Sequence, residues 1–331
     1  YNLDTMIAAT KAGLDYFTAA FGPYQHKQFR IIEFPRYAAF AQSFPNTIPY
    51  SEGIGFIARV RPDDPEDVDY PYYVTAHELA HQWWGHQVPG GNVQGETFLV
   101  ETLAQYSALM VMKEKYGPEK MQRFLRYELD RYLLGRSTEE KKELPLSRVE
   151  NQPYIHYRKG SLIMYALQDY IGEENLNKAI RAYRDDWAFK GPPYSSASHL
   201  LAKIRAVTPP HLQYMIDDFF ETITLYDNRA LSAKAKALPD GTYEVALTVF
   251  AKKRKADALG KETDAPLADW IDIGVLDADG KALFLEKKKI GQEETAFTLV
   301  VPRKPAKAGI DPFNKLIDRR PKDNAINVEI E

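Results

Sequence analysis

The chain has 331 residues, with 43 Lys and Arg against 46 Asp and Glu, and it contains no cysteine. A hydrophobic fraction of 44% and a charged fraction of 27% are typical of a globular protein, and the length is sufficient for two domains. The net charge of −3 gives no electrostatic basis for binding nucleic acid or an anionic membrane, and the lack of cysteine excludes disulfides, thiol nucleophiles and cysteine-based metal sites.

The first two thirds of the chain, to about Tyr226, show mainly helical periodicity. Apolar residues at helical spacing predict a first helix that begins near Leu3 and ends at Gly22-Pro23, a pair that stops helices. Two short strands are predicted next, at 29–34 and 54–60, with proline-rich turns between them. More helices are predicted in series beyond them, separated by glycine and proline.

After residue 228 the hydrophobic period changes from 3.6 residues to 2. Alternating apolar residues predict strands at 245–249, 271–275 and 297–301. Pro-Asp-Gly and Asp-Gly sequences between these runs are turn signals. Several short strands joined by turns over about a hundred residues favour a β-sandwich.

The change of period predicts the domain organisation. We expect an α+β protein with a mostly helical domain over residues 1–227, followed by a small β-sandwich domain over residues 228–331. The short basic runs at 252–255 and 287–289 are expected in solvated loops or at strand edges.

The chemically informative stretch is His77-Glu78-Leu79-Ala80-His81. Histidines at positions i and i+4 of a helix lie on one face about one turn apart, so both imidazoles can bind a single metal ion. Glu78 lies beside that face, where its carboxylate can take a proton from metal-bound water without being a ligand. The pattern predicts a hydrolytic zinc site with Glu78 as general base. Trp83 and Trp84, next to the motif, are expected in the core or in a pocket wall.

A catalytic zinc site needs a third protein ligand and leaves one position for water. Glu101 is the preferred candidate because it is a lone carboxylate in a mostly apolar helix, where burial requires a partner. Glu96 is an alternative, but it lies at the start of that helix, where the helix dipole already accounts for an acid. His86 is another, although on a continuing helix it would point about 140° away from His81. The sequence therefore predicts one Zn²⁺ per chain, held by His77, His81 and Glu101.

These residues resemble those of a known family. The stretch from His77 to Gly85, followed by a glutamate one helix later, is similar to the gluzincin zinc aminopeptidases, the family of membrane alanyl aminopeptidase and leukotriene hydrolase. Tyr157-Arg158-Lys159-Gly160 matches the Tyr-x-Lys-Gly motif of that family, and Ser51-Glu52-Gly53 falls where the family carries a Gly-x-Met-Glu-Asn strand. The resemblance covers about residues 1–225 and implies a thermolysin-like catalytic domain, with the family's small β-sandwich after it.

The resemblance also implies roles for two further residues. Tyr157 would stabilise the oxyanion through its phenol hydrogen, with His156 as the alternative donor. Glu52 would bind the α-ammonium group of the substrate, which predicts an aminopeptidase; if Glu52 is only a turn residue, endopeptidase activity is expected instead. The interval between His81 and Glu101 is one residue longer than in the family, and we expect Gly90-Gly91 to absorb the extra residue.

The partners and the location are implied by a narrower likeness. The sequences around Glu101 and at 309–315 are similar to a bacterial branch of the family in which the peptidase follows a membrane permease segment in the same polypeptide. The chain begins at Tyr1 with no initiator methionine or signal peptide, so we expect it to be part of a longer protein. The resemblance implies a peptide substrate, a permease segment as partner and a location outside the cytoplasm. The alternative function is a non-catalytic module that binds peptides or partners for a transporter.

Overall fold

The computed structural model describes residues 1–61, 63–64 and 67–331 of the chain. Contacts between Cα atoms divide them into two compact units. The first unit consists of Tyr1–Glu140 and Leu144–Glu221, and the second of Lys141–Glu143 and Thr222–Glu331. Both helices and strands are present, which confirms the predicted α+β class, while the thermolysin-like arrangement stays a prediction. Within the described residues, no helix has the length and apolar character needed to cross a lipid bilayer.

The first unit is mostly helical. Its α-helices are α1 (Leu3–Phe21), α2 (Tyr70–Ala80), α3 (Leu103–Tyr116), α4 (Met121–Thr138), α5 (Gly160–Ile171), α6 (Glu173–Trp187), α7 (Ala197–Val207) and α8 (Tyr214–Ile216). Its π-helical segments are π1 (Phe98–Thr102), π2 (Tyr154–Lys159) and π3 (Asp217–Glu221), and its short 3₁₀ turns are Pro118–Lys120, Leu146–Arg148 and Pro210–Leu212. The first helix has the predicted extent, from Leu3 to the residue before Gly22.

Two strands of the first unit, β1 (Arg30–Phe34) and β2 (Thr47–Ser51), form a parallel pair. The predicted strand at 29–34 is therefore confirmed, but the one predicted at 54–60 is wrong. The chain turns at that point instead, because the backbone N–H groups of Ile54 and Gly55 both donate to Ser51 O. The actual strand contains Pro49, which a two-stranded sheet tolerates because proline's missing N–H matters most in central strands.

The core of the first unit forms around α1, α2 and α3, which contact one another. Trp83 and Trp84 lie in this core and have no solvent exposure. The Trp83 indole N–H donates to Gly22 O at 2.9 Å, and that of Trp84 donates to Ser107 Oγ at 3.0 Å. Each buried indole therefore has a hydrogen-bond partner, as burial requires. Both tryptophans are core residues rather than the wall of an open pocket.

The second unit consists of two sheets. Its strands are β3 (Ile223–Ala237), β4 (Tyr243–Ala256), β5 (Glu262–Ala265), β6 (Asp269–Leu276), β7 (Ala282–Ile290), β8 (Glu294–Val301), β9 (Lys307–Ile310), β10 (Ala325–Asn327) and β11 (Glu329–Ile330). One sheet has the order β11-β3-β4-β5, with β8 also paired to β4, and the other has the order β10-β9-β6-β7. Strands β3 and β4 contact β9 of the other sheet, which is the packing of a β-sandwich.

The predicted strands at 245–249, 271–275 and 297–301 lie within β4, β6 and β8. The basic run at 252–255 is an exception to its prediction, because it belongs to β4, which pairs on both sides. Lys253 in this run is only 6% exposed, and its Nζ donates to Asp269 Oδ1 at 2.8 Å. Side chains alternate across a strand, so every second residue of a basic run on a packed strand points into the sandwich.

Candidate metal centre

Helix α2 presents two residues of the predicted site. Asp69 begins the helix, since its side chain accepts a hydrogen bond from Tyr72 N at 3.2 Å, and a proline occupies the first turn. The helix ends at Ala80, and His81 follows with helical dihedral angles. The i, i+4 relation between His77 and His81 is therefore preserved, and Glu78 lies between them.

Glu101 comes from π1, which leads directly into α3. A π turn holds one residue more than an α turn, and such turns occur mostly as single insertions at functional sites. The extra residue in the interval between His81 and Glu101 can thus be accommodated within the helix, next to the acid. The Gly90-Gly91 loop, where the sequence led us to expect the extra residue, stays the alternative place.

One nitrogen from each histidine and one oxygen of Glu101 converge on a common point. His77 Nε2 and His81 Nε2 are 3.0 Å apart, and Glu101 Oε2 lies 3.4 Å from the first and 3.2 Å from the second. Three ligands at about 2.0–2.1 Å from a tetrahedral ion would be separated from one another by about 3.3 Å. The observed separations fit that value. The histidine side chains are 10% and 12% exposed and that of Glu101 is 22% exposed, so water has limited access.

The polar atoms of this cluster also fit a cation. Glu101 Oε2 is buried and faces the Nε2 atoms of both histidines, so a cation between the three atoms would offset the cost of burying the carboxylate. His81 Nδ1 lies 3.0 Å from Trp84 O, a contact that fixes the ring and leaves Nε2 free to coordinate. A set of two imidazoles and one carboxylate is that of many catalytic zinc sites.

The charges of the cluster are strongly coupled. Burial disfavours protonated His81, but the hydrogen bond and the charge of Glu101 outweigh burial and raise the pKa of His81 to about 9. Burial acts against ionised Glu101 too, yet its hydrogen bonds to the two histidines hold the pKa of this carboxyl well below its ordinary value. The site therefore favours an ionised carboxylate facing positive charge.

Glu78 lies beside the cluster without joining it. It is 7% exposed, and burial raises the pKa of its carboxyl, opposed by the charges of His77 and His81 and by a hydrogen bond from the Ser43 backbone. Glu78 is absent from the group of atoms that converge, which among the described residues consists of His77, His81 and Glu101. This position suits a proton acceptor rather than a ligand.

Tyr157 lies on π2 and faces the cluster. Its ring centroid is 5.8 Å from that of His77. Burial and the charge of Glu101 raise the pKa of the Tyr157 phenol, so it keeps its proton at neutral pH. His156 is the neighbouring alternative; it is 2% exposed, and burial lowers its pKa to about 4. A neutral His156 held within the core is less suited to meet a substrate.

The alternative ligands lie outside the convergent group. Helix α2 ends six residues before His86, so the predicted 140° separation on a continuing helix does not apply to it. Burial lowers the pKa of His86 and raises that of Glu96. Neither belongs to the set of close ligand atoms found among the described residues.

Glu52 follows β2 and faces a different set of residues. Its Oε1 accepts a hydrogen bond from Arg36 N at 3.2 Å and lies 4.0 Å from Arg36 Nε. The hydrogen bonds and ion pairs of the described residues do not connect Glu52 with His77 or Glu101. The ammonium-binding role of Glu52 stays a prediction, and the structure does not bring this residue into the cluster.

Sequence reasoning missed the residues that hold the segment of Tyr157. Thr102 Oγ1 donates to His156 O at 2.6 Å, and Arg158 forms an ion pair with the buried carboxylate of Glu128. One signal existed for Glu128, because it is an acid at helical spacing among apolar residues of α4 that are buried. Its partners are distant in the sequence and could not be inferred.

Residues 1–222 match the model of the peptidase family M1 domain. "Probable aminopeptidase 1" of Sulfurisphaera tokodaii is 26% identical over 194 residues, which are 55% of this chain and 24% of that protein. "Endoplasmic reticulum aminopeptidase 2" of Homo sapiens is 29% identical over 131 residues, or 35% of this chain and 13% of that protein. A "Probable aminopeptidase 1" of Saccharolobus solfataricus is 25% identical over 180 residues, 50% of this chain and 22% of its own length.

The chain thus spans a quarter or less of the length of these curated relatives. The family match confirms the predicted resemblance to zinc aminopeptidases at the level of the family. The bacterial branch, the fusion to a permease segment and the location outside the cytoplasm stay predictions.

Proposed function

Because the chain belongs to peptidase family M1, we propose that it is a zinc-dependent peptidase that removes residues from the amino termini of peptides. The observation that carries this proposal is that one ligand atom each from His77, His81 and Glu101 lie within 4.8 Å of one another. Glu78 lies beside this cluster, and Tyr157 faces it. These five side chains supply a ligand set, a base and a donor, which are the parts that metal-assisted hydrolysis requires.

Each of these five side chains would have its own role in the hydrolysis reaction. A zinc ion held by His77, His81 and Glu101 would lower the pKa of a water molecule towards about 7 and polarise the scissile carbonyl. Glu78 takes the proton of the attacking water, and the burial that raises the pKa of its carboxyl makes it a stronger base than an exposed glutamate. Glu78 then delivers that proton to the leaving amine. Tyr157 directs its phenol hydrogen at the carbonyl oxygen, where negative charge develops.

The direction of cleavage is supported by the relatives, whose names describe aminopeptidases. Glu52, the residue predicted to bind a free amino terminus, pairs with Arg36 and gives no independent support. Cleavage from the amino terminus therefore depends on the family relationship, and the ion-binding cluster by itself supports peptide hydrolysis in general.

The test combines metal analysis with digestion of a peptide library. We expect one zinc per chain and loss of single residues from amino termini, both abolished by a chelator and restored by zinc. Internal cleavage would retain the peptidase but reject the aminopeptidase. Binding of peptides without any chelator-sensitive hydrolysis would favour the alternative, a non-catalytic module of a transporter.

A further inference from the structure

The residues on both sides of Tyr157 make polar contacts with other elements of the first unit. On the amino-terminal side, the hydroxyl of Thr102 donates to His156 O at 2.6 Å. Thr102 follows Glu101 in π1, so this hydrogen bond connects the acid of the cluster with the segment of Tyr157. The two segments are in close approach, since a Cβ atom placed on Gly160 would lie 2.4 Å from Thr102 Oγ1.

On the carboxyl-terminal side, Arg158 is bound by Glu128, an α4 residue that is only 1% exposed. Arg158 Nη1 lies 3.1 Å from Glu128 Oε1 and 3.2 Å from Oε2. The carboxylate accepts a third hydrogen bond at 3.0 Å, from the hydroxyl of Tyr73. Tyr73 lies on α2 four residues before His77 and on the same face of that helix. Glu128 thus joins the helix of the metal-binding histidines to the segment of Tyr157.

A second contact brings α4 close to the same segment. A Cβ atom on Gly135 would lie 2.4 Å from Tyr154 Cβ, so the backbones of α4 and π2 pack closely. Glu128 therefore projects from a helix whose position relative to π2 is fixed by packing as well as by its own charge.

Stability alone gives little reason for an ion pair at this position. Removing the Glu128 carboxylate from water costs several kcal/mol, and a well-packed apolar replacement of a buried ion pair is often equally stable or more so. What the contacts supply is geometry, because Arg158 Nη1 and the Tyr73 hydroxyl both donate to the one Glu128 carboxylate and so fix two elements relative to it. Displacement of a reacting group by about 1 Å can lower a rate by about a hundredfold.

We propose that Glu128 is a positioning residue that, through Arg158 and Tyr73, holds the Tyr157 hydroxyl in place relative to the metal-binding histidines. The inference rests on the proposed peptidase function, since the hydroxyl matters only if it meets a reacting carbonyl. Glu128 itself touches neither substrate nor ligand atoms.

The decisive variant is Glu128→Gln, whose amide keeps one oxygen that can accept from Tyr73 and Arg158 but removes the negative charge and replaces the second oxygen with an NH₂ group that cannot accept from the guanidinium. We expect kcat to fall by about ten- to a hundredfold, while KM and zinc content change by less than about twofold. In a Tyr157→Phe background the same substitution should lower kcat by less than about twofold, because the hydroxyl that Glu128 positions is already absent. Hydrogen exchange over residues 154–160 should become faster.

The chain offers a matched control. Glu173 on α6 makes the same kind of trio, since it accepts from the Tyr16 hydroxyl and pairs with Lys113. Glu173→Gln should affect stability but leave kcat and the exchange of 154–160 unchanged. If Glu128→Gln fails to fold, Arg158→Met breaks the same contact from its other partner, with the same expected dependence on Tyr157.

The outcomes separate this inference from the proposed function. If Glu128→Gln lowers kcat by the same factor with and without the Tyr157 hydroxyl, Glu128 only stabilises the fold. The same conclusion would follow if zinc content and kcat fell together. A wild-type protein that binds zinc but hydrolyses no peptide would reject the proposed function instead. In that case faster exchange at 154–160 in Glu128→Gln, but not in Glu173→Gln, would still support the structural link.

Discussion

Glu78 and Glu101 lie close together, yet their carboxyl groups are affected in opposite directions. Burial raises the pKa of Glu78, because the histidines only partly offset it. In Glu101 the hydrogen bonds to the same histidines outweigh burial and hold the pKa well below its ordinary value. Two acids whose pKa values are pushed apart fit the different roles of the proposed mechanism, in which Glu101 would remain an anion and bind the cation, while Glu78 would accept and return a proton.

This assignment makes a prediction for Glu78→Gln. The amide keeps the size of the side chain and leaves all three ligand atoms in place, so zinc content should be unchanged. Without a base, kcat should fall by about 10²- to 10⁴-fold. Metal analysis and peptide turnover on the same preparation test both statements. Loss of zinc together with activity would make Glu78 a ligand and contradict the assignment.

Tyr157→Phe tests the oxyanion donor. Removal of one such donor typically lowers kcat by about 10²- to 10³-fold with little change in KM, because the interaction forms only as charge develops. Tyr165→Phe on α5 is the control, since it removes a hydroxyl from another buried tyrosine that is not part of the cluster. Similar kcat values for both variants would mean that the Tyr157 hydroxyl has a structural role and is not the oxyanion donor.

The sequence made this site partly predictable because its key residues lie close together in the chain. The i, i+4 spacing identified His77 and His81, and the polarity of a lone carboxylate in an apolar helix identified Glu101. Glu128 and Thr102 were not predicted, since they act through contacts across 55 and 54 positions of the chain. Spacing within one helix is visible in a sequence, whereas packing between helices is not.

At the scale of elements, the strongest periodic patterns gave correct predictions, as for α1, β4 and β6. The error at 54–60 arose where alternating apolar residues coincide with glycines that allow a turn, and where Pro49 hid a real strand. The π turns had no visible signal, because a single inserted residue disturbs a helical pattern very little. Of the three described π segments, π1 carries Glu101 of the cluster and π2 carries Tyr157, which faces it.

The second unit contains an element-scale link that can be tested. Asp269 on β6 is 2% exposed and accepts hydrogen bonds from Lys253 on β4 and Tyr226 on β3, at 2.8 and 2.9 Å. Strands β3 and β4 belong to one sheet and β6 to the other, so Asp269 joins the two. Asp269→Ala removes the buried carboxylate that pairs with Lys253 and accepts from Tyr226, which should lower the free energy of unfolding by about 3–5 kcal/mol.

The control for this variant is an exposed ion pair of the same unit. Lys236 and Glu244 are paired at 2.7 Å across β3 and β4, with side chains 56% and 34% exposed. Glu244→Ala should cost at most about 1 kcal/mol, because solvent screens such pairs. Urea denaturation of both variants gives the comparison. Equal effects would mean that the Asp269 link contributes no more than a surface pair.

At the scale of the whole molecule, two separate observations divide the chain at nearly the same place. The family match ends at residue 222, and the contacts of the first unit end at Glu221. The change of hydrophobic period suggested residue 227 instead. The reason lies in β3, whose first four residues are all buried. The alternation of buried and exposed side chains therefore begins only after these four residues. A strand buried on both faces shows no period of 2.

This division predicts where zinc should stabilise the protein, since all three proposed ligands belong to the first unit. A free zinc concentration of a thousand times the dissociation constant would add about 4 kcal/mol to the free energy of unfolding of the segments that unfold together with the site. Hydrogen exchange with and without zinc should therefore show slower exchange in α2 and π1, and no change in β4 or β6. The Glu101→Ala variant should lose zinc and the slower exchange together, whereas Glu96→Ala should keep both. If Glu96→Ala loses zinc instead, the third ligand is Glu96 and the assignment of Glu101 is wrong.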